Sequence, residues 1–517
     1  MERKDRLADE DGDESYSHVL KYTGVFGGVQ GLSLLVNLVR NKLVAVLLGP
    51  GGMGLASLLN TTVSFIYQAT NFGLPFSAVK HVSELYDEKD ESKTHNFIAV
   101  VRVWALLTGM LGMAVCVMLG PVLSSSTFSW GDHTLHFVLL APAIGLMAIT
   151  GGETAILKGT RQLRRLATIQ IYTVLATLVV SIPIYYIIGE KGIVPVIVLM
   201  ALVTALLTLR HSYRLYPLRM SSLGGLIGQG RGMIRLGVAF VVAGVMGSGA
   251  EMVIRSFLNV NGDLDAVGLY NAGFMLTVTY AGLVFSSMES DYFPRLSGLS
   301  GGDIEGRNLV VNRQIEVSLL IVSPMLAALV VVLPVLIPLL FSMEFIPVVG
   351  MAQVAVFSMY IKAVSLPVSY LVLARGESLA FMVLEGLYDI VLVALVVLGY
   401  HYWGLLGTGV ALSLSYVFDV LIVCGYTWFR YRFRLSLQVI HYAAIQLSLG
   451  VSVYIVTLID NPVIYWTLGG LLSIVSLLIS LYILHQKTSL WAALIAPLAG
   501  PAGRVLERLR KLLRRNG

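Results

Sequence analysis

Runs of apolar residues long enough to cross a bilayer recur along almost the whole chain, and nothing else restricts its fold so tightly. A hydrocarbon core of ~30 Å takes roughly 20 helical residues. Fourteen such runs lie between residues 22 and 485: 22–48, 53–77, 97–119, 135–157, 166–188, 192–210, 233–258, 267–289, 314–340, 346–373, 379–399, 404–429, 437–459 and 462–485. They are apolar on all sides and much longer than the ~10-residue alternating strands of a membrane barrel, so each is predicted to be a helix. With 517 residues, 56% hydrophobic and only 13% charged, at a mean hydropathy of +0.80, the chain carries more apolar surface than a soluble core could bury. The expected fold class is an all-α polytopic membrane protein with about fourteen transmembrane helices.

Basic residues give the orientation. Arg3, Lys4, Arg6 and Lys21 precede the first span, Lys80, Lys89 and Lys93 separate spans 2 and 3, and Lys158, Arg161, Arg164 and Arg165 follow span 4. Later loops of the same parity add Arg295, Arg307, Arg375, Arg430, Arg432 and Arg434, whereas the opposite loops offer Lys191. By the positive-inside rule both termini are expected to be cytoplasmic, in a protein that crosses its membrane many times. The acidic start MERKDRLADEDGDESYSH is not followed by a signal-peptide pattern. Cys116 and Cys424 fall inside spans and read as packing residues. The net charge of +6 reflects topology, and no nucleic-acid partner is expected.

The chain repeats itself. Residues 53–85 lie over 267–299 without a gap; both stretches open with Gly-Leu and close with Ser-x-Leu before a polar loop. Spans 1–6 and 7–12 also follow the same order of loop types. An even number of helices per repeat keeps the halves in one orientation, so they are expected to be related by a pseudo-two-fold axis along the membrane normal, with two extra C-terminal helices. The predicted organisation is a cytoplasmic tail (1–21), an N-terminal six-helix lobe (22–210), a Gly-rich basic linker (211–232), a C-terminal six-helix lobe (233–430), helices 13 and 14 (437–485), and a basic amphipathic cytoplasmic tail (486–517).

Charges inside the spans are the candidate functional residues. A basic residue at mid-membrane costs roughly 2.5–3.5 kcal/mol and usually faces protein or a water-filled cavity. Arg40 and Lys42 stand in the last third of span 1, where they either snorkel outward or line a cavity. Arg40 precedes the Gly-Leu of span 2 by fourteen residues and Arg255 precedes that of span 8 by thirteen, so the two read as repeat-related cations on a shared cavity; an i, i+4 pair with Glu251 is the other account of Arg255. Lys362, midway along span 10, reads as a further cavity cation or as the partner of Asp389 or Glu385. Glu385 and Asp389, on one face of span 11, and Asp419 in span 12 are candidates for proton or Na⁺ coupling. Arg102, Arg235, Glu316 and Glu344 sit near span ends, where solvation explains them. His133 and His136, in an outer loop, read as solvated.

The chain has no G-x-x-x-x-G-K-[ST], no H-E-x-x-H, and no outer loop large enough for a catalytic domain. A transporter is therefore expected rather than an enzyme. The run R-x-K-x-x-A-x-x-L-G-P-x-G-x-G at 40–54 and G-L-P at 73–75, on a fourteen-span plan, resemble the polysaccharide-export flippases of the multidrug/oligosaccharidyl-lipid/polysaccharide (MOP) superfamily, and among them the O-antigen translocase (Wzx) group. The resemblance implies transfer of an undecaprenyl-diphosphate-type lipid-linked oligosaccharide from the cytoplasmic to the periplasmic leaflet by alternating access. It further implies a link to polysaccharide polymerase machinery and substrate contact at Arg40 and Arg255, then Lys42 and Lys362. No cofactor is expected; H⁺, Na⁺ or the membrane potential alone would drive transport. The two extra helices also resemble the lipid II flippase branch, and a cation-coupled multidrug exporter is the remaining alternative.

Overall fold

The computed structural model describes residues 2–128, 131–217, 223–299 and 304–487. Among them every regular element is helical. The order is α1 (Glu2–Thr70), α2 (Leu74–Asp87), α3 (Glu91–Thr127), α4 (Thr134–Gly159), α5 (Leu163–Ile188), α6 (Ile193–Tyr213), α7 (Leu223–Asn261), α8 (Leu264–Phe274), a π turn (Met275–Tyr280), α9 (Ala281–Ser297), α10 (Ile304–Leu340), α11 (Val349–Ala355), α12 (Phe357–Ala374), α13 (Ser378–Tyr431), α14 (Leu437–Thr457) and α15 (Pro462–Lys487). Helix covers most of each of the fourteen expected spans. Ten helical stretches are long and apolar enough to cross a membrane, and three of these hold two spans each. The protein is a multi-pass membrane protein. The tail from residue 488 onward and the side chain of Arg235 lie outside the described residues.

The joins inside the long helices follow from local sequence. Gly49 (φ 64°, ψ −172°) breaks α1 in a region of φ that glycine enters without steric cost, and Pro50 restarts the helix with its φ already set and no amide to satisfy. Gly404 (φ 56°) breaks α13 in the same manner. Span 2 departs from expectation: the helix stops at Thr70 and restarts at Leu74. Asn71 Oδ1 accepts from the Gly73 amide at 2.7 Å, with Phe72 and Gly73 at positive φ. This is an Asx turn followed by the proline of G-L-P.

The described chain divides into two compact units. The first contains the residues up to Ala272 with Val335–Val348 and Glu385–His401; the second contains Gly273–Pro334, Val349–Leu384 and the chain from Tyr402 onward. In the first unit α3 and α4 approach closely through small residues: a Cβ on Gly109 would lie 3.2 Å from the Gly145 carbonyl, and one on Gly152 2.8 Å from Ala105. Small residues let backbones approach where lipid provides no hydrophobic drive. Leu74, Val82, Ile98, Val101 and Ile156 fill the space beside them. In the second unit Gly450 seats against Tyr360, and Gly469 against Val331, while the Gln446 amide bridges Ser476 and Ser480 at 2.6 and 2.9 Å, joining α14 to α15.

Within the first unit, α1 beyond its kink crosses the start of α8, and the residues that meet there are those the gapless repeat aligns. A methyl on Gly54 would overlap the Leu264 carbonyl, and one on Gly268 the Pro50 carbonyl; each glycine abuts the other's amide. One turn further on, Ser57 Oγ donates to Asn271 Oδ1 at 2.9 Å. Equivalent residues meeting in pairs are what a local two-fold axis through the crossing requires.

Candidate functional site

The first unit contains a partly open cavity of about 540 Å³ walled by α1, α4, α5 and α6, with Pro75 of α2. Its lining on α4 extends from Ala143 to Lys158, so at 1.5 Å rise per residue it is about 22 Å long. Lys158 marks the end next to the basic loops. Arg40, Tyr185 and Val196 mark the other. Between them lie hydroxyls and an amide, from Asn60, Ser64, Tyr67, Thr150, Thr154 and Thr204. Arg40 is half-buried; the Tyr185 hydroxyl lies in the field of its guanidinium, while its buried Nε has no partner among the described residues. A guanidinium with an unused donor beside a tyrosine is suited to an oxyanion, because its planar fork gives charge-assisted, often bidentate bonds.

Of the four cations expected on a shared cavity, Arg40 alone lines this one. Lys42 Nζ instead donates to the Pro338 carbonyl at 2.7 Å, in the last turn of α10, where unbonded carbonyls and the negative end of the helix dipole favour a cation. Arg255 is 5% exposed and held by neighbours. Its Nε donates to Ser57 Oγ at 2.9 Å, Nη1 to Glu251 Oε2 at 3.2 Å and Nη2 to Asn271 Oδ1 at 3.4 Å, with the Tyr270 ring 5.9 Å away. The intrahelical pair is thus present, and the same guanidinium fastens α7 to the α1–α8 crossing.

Lys362 lies in the second unit, 5.9 Å from the centres of the Phe285 and Tyr416 rings. The carboxylate in its field there is Asp419, which also accepts from Ser365. Asp389 and Glu385, its expected partners, belong to the first unit, where Asp389 lies in the field of Glu251 and beside Gly247. Of the three coupling candidates, Asp389 has Glu251 as its neighbouring charge, Asp419 has Lys362, and Glu385 precedes Asp389 by one turn of α13.

The expectation of solvation is corrected at three residues. Arg102 is buried: its Nε donates to Glu153 Oε1 at 2.8 Å, with side chains 8% and 2% exposed. Ser212 Oγ completes the carboxylate at 2.5 Å and the Tyr213 ring lies 3.9 Å from the guanidinium, so one ion pair joins α3, α4 and α6. Glu316, 7% exposed, is buried too. His133 is 8% exposed, with its ring tilted against that of Phe128 at 4.1 Å and paired with His136 at 3.2 Å.

Sequence reasoning missed Lys158 and Tyr185 as cavity residues and Ser57 and Asn271 as the seat of Arg255. Lys158 had been absorbed into the loop charges. Ser57 and Asn271 carried a signal, since the repeat aligns them.

Residues 43–350, more than half of the chain, match the model of a family described as polysaccharide biosynthesis protein. No curated protein matches the chain by sequence. Among solved structures it is similar to a multidrug resistance MATE family transporter of the MOP superfamily in an inward-facing conformation, at 15% identity over 77% of this chain and 94% of that one, with a TM-score of 0.67. It is similar also to the lipid II flippase MurJ in an inward closed conformation, at 14% identity over 89% and 99%, TM-score 0.70. A third is a MOP superfamily transporter from Pyrococcus furiosus, at 14% identity over 79% and 93%, TM-score 0.56. At such identities the likeness is one of fold.

Proposed function

Because the chain belongs to the polysaccharide biosynthesis protein family, we propose that it is a flippase for a lipid-diphosphate-linked oligosaccharide, an O-antigen or related surface-polysaccharide repeat unit, and that the Arg40 cavity is its binding site. The observation that carries this reading is the Arg40 Nε, without a partner among the described residues, in a hydroxyl-lined cavity. A diphosphate cannot enter hydrocarbon uncompensated; guanidinium and tyrosine hydroxyl replace its water, and the threonine and asparagine side chains offer hydrogen bonds to sugar hydroxyls. The lining reaches Lys158 at the basic-loop end, which the positive-inside rule makes cytoplasmic. Substrate loads there and leaves toward the periplasmic leaflet by alternating access, in a bacterial inner membrane with both termini in the cytoplasm. The lipid is of the undecaprenyl-diphosphate type and the product passes to polysaccharide polymerase machinery.

An inside-negative potential favours outward movement of negative charge by about 2.3 kcal/mol per charge per 100 mV, so no cofactor is needed. Proton or Na⁺ coupling would act at Asp389 with Glu385, or at Asp419. The same cavity suits a lipid II-type precursor, whereas Arg40 and Lys158 repel the cationic substrates of a multidrug exporter.

The test is surface-polysaccharide production in cells whose only copy carries Arg40→Ala or Arg40→Lys, with membrane abundance measured in parallel. Loss of polymer and accumulation of the cytoplasm-facing lipid-linked intermediate at normal abundance is expected for Arg40→Ala, with partial rescue by Arg40→Lys. Normal polymer from Arg40→Ala would overturn the reading. Accumulation of a peptidoglycan precursor instead would move the substrate to lipid II.

A further inference from the structure

A second cavity, of about 510 Å³, lies in the second unit at the basic-loop end, and its chemistry differs from that of the first. We propose that it holds a structural phospholipid whose headgroup carries both a phosphate and a primary ammonium, as phosphatidylethanolamine does. Its volume is within the roughly 300–1,000 Å³ of ordinary ligand pockets.

The polar lining comes from Asn312, Arg313 and Glu316 of α10 and from Ser436 and Gln438 at the start of α14. Arg313 and Glu316 are one helical turn apart, so they present opposite charges on one side of α10. Arg313 is exposed and Glu316 buried, which puts the cation at the rim and the carboxylate further in. The first turn of α14, where Ser436 caps the Val439 amide at 3.2 Å, adds the positive end of a 21-residue helix. A phosphate therefore meets Arg313 and the α14 start, while the ammonium reaches Glu316.

The walls decide that the ligand is a lipid. Leu309, Val317, Leu320 and Leu484 complete the lining. The outer surfaces of α14 and α15 are apolar, with Leu437 74% and Leu478 59% exposed, as on helices that face hydrocarbon. The cavity is also built, not a packing fault. Asn312 Nδ2 donates to the Arg434 carbonyl at 2.9 Å and its Oδ1 accepts from the Ser436 amide at 2.8 Å, which fixes α14 to α10 at the cavity floor. An anionic lipid without an amine would set phosphate against Glu316. A choline headgroup has no N–H to give that carboxylate, and a soluble zwitterion would not use the leucine walls.

The experiment is native mass spectrometry of the full-length protein in mild detergent with an equimolar mixture of phosphatidylethanolamine, phosphatidylglycerol and phosphatidylcholine. Preferential retention of phosphatidylethanolamine by about tenfold is expected, in line with charge-assisted contacts; Glu316→Gln and Arg313→Ala should each abolish the preference. Adducts that follow the composition of the mixture, or a preference that survives both variants, would overturn the proposal. Should the variants not fold, the wild-type thermal midpoint decides: it rises with added phosphatidylethanolamine and not with phosphatidylglycerol, and equal shifts would sink the idea.

Discussion

Arg40 in α1 and Arg255 in α7 stand at matching distances before the Gly-Leu pairs of the repeat, yet their surroundings are opposite. Arg255 is enclosed by Ser57, Glu251 and Asn271; Arg40 faces a cavity, its Nε without a partner among the described residues. A buried charge whose donors are all used holds helices together. One whose donors are left over is positioned for a ligand, and its upkeep is a cost to the fold. Position within a duplicated architecture places a cation at a depth, but the neighbouring helices determine which of these two things it does.

The comparison can be broken most forcefully at a third arginine. Arg102→Ala leaves Glu153 without its cation in a dry site and should lower stability by about 3–5 kcal/mol, read as loss of membrane abundance and of the unfolding midpoint in detergent. Arg255→Ala should cost less, roughly 1.5–3 kcal/mol, because Glu251 is 46% exposed and can rehydrate. Arg40→Ala should leave the unfolding midpoint unchanged or raised, since an unsatisfied buried donor is removed; a drop matching that of Arg255→Ala would erase the distinction. Tyr185→Phe sharpens it at the ligand side: loss of one hydroxyl beside Arg40 should slow transport roughly two- to tenfold with normal abundance.

The smallest effect is expected where the same chemistry is exposed to water. Glu377, between α12 and α13, accepts from Tyr426 at 2.8 Å and from Arg430 at 3.1 Å, and these bonds hold its carboxyl below its ordinary value, the Tyr426 hydrogen bond first. A depressed carboxylate stabilises the fold at pH above its unfolded pKa and loses that contribution as pH falls through the lower folded value. Glu377→Gln should therefore change the unfolding midpoint little at pH 7, and its difference from wild type should vanish in acid.

The helices were legible because a membrane span announces itself by length and composition, and the breaks near Gly49 and Gly404 because glycine and proline carry their backbone preferences with them; the break at Asn71–Gly73 fell inside an expected span, because its apolar flanks hid the Asx turn. Which cation meets which partner was not. Lys42 goes to a carbonyl of α10 and Lys362 to the neighbourhood of Asp419; both outcomes depend on how helices distant in sequence rotate about their axes. A carbonyl acceptor such as that of Pro338 leaves no mark in side-chain identity at all. Arg102 looked solvated because its distance from a helix end was visible and the buried Glu153–Ser212 pair beyond it was not. The repeat alignment was the exception: by pairing Ser57 with Asn271 it contained a true contact that only the meaning of the two-fold could have revealed.

The crossing at Gly54 and Gly268 has a consequence for how the chain can change. Where a large residue presses on its neighbour, a second substitution to something smaller can restore the fit. Here each position faces the backbone of the other strand of the repeat, and both are already the smallest residue available. A side chain introduced at either glycine has no remedy at the opposite one, so selection for revertants of Gly54→Leu should return glycine, alanine or serine at position 54 itself, and not compensating changes at 268.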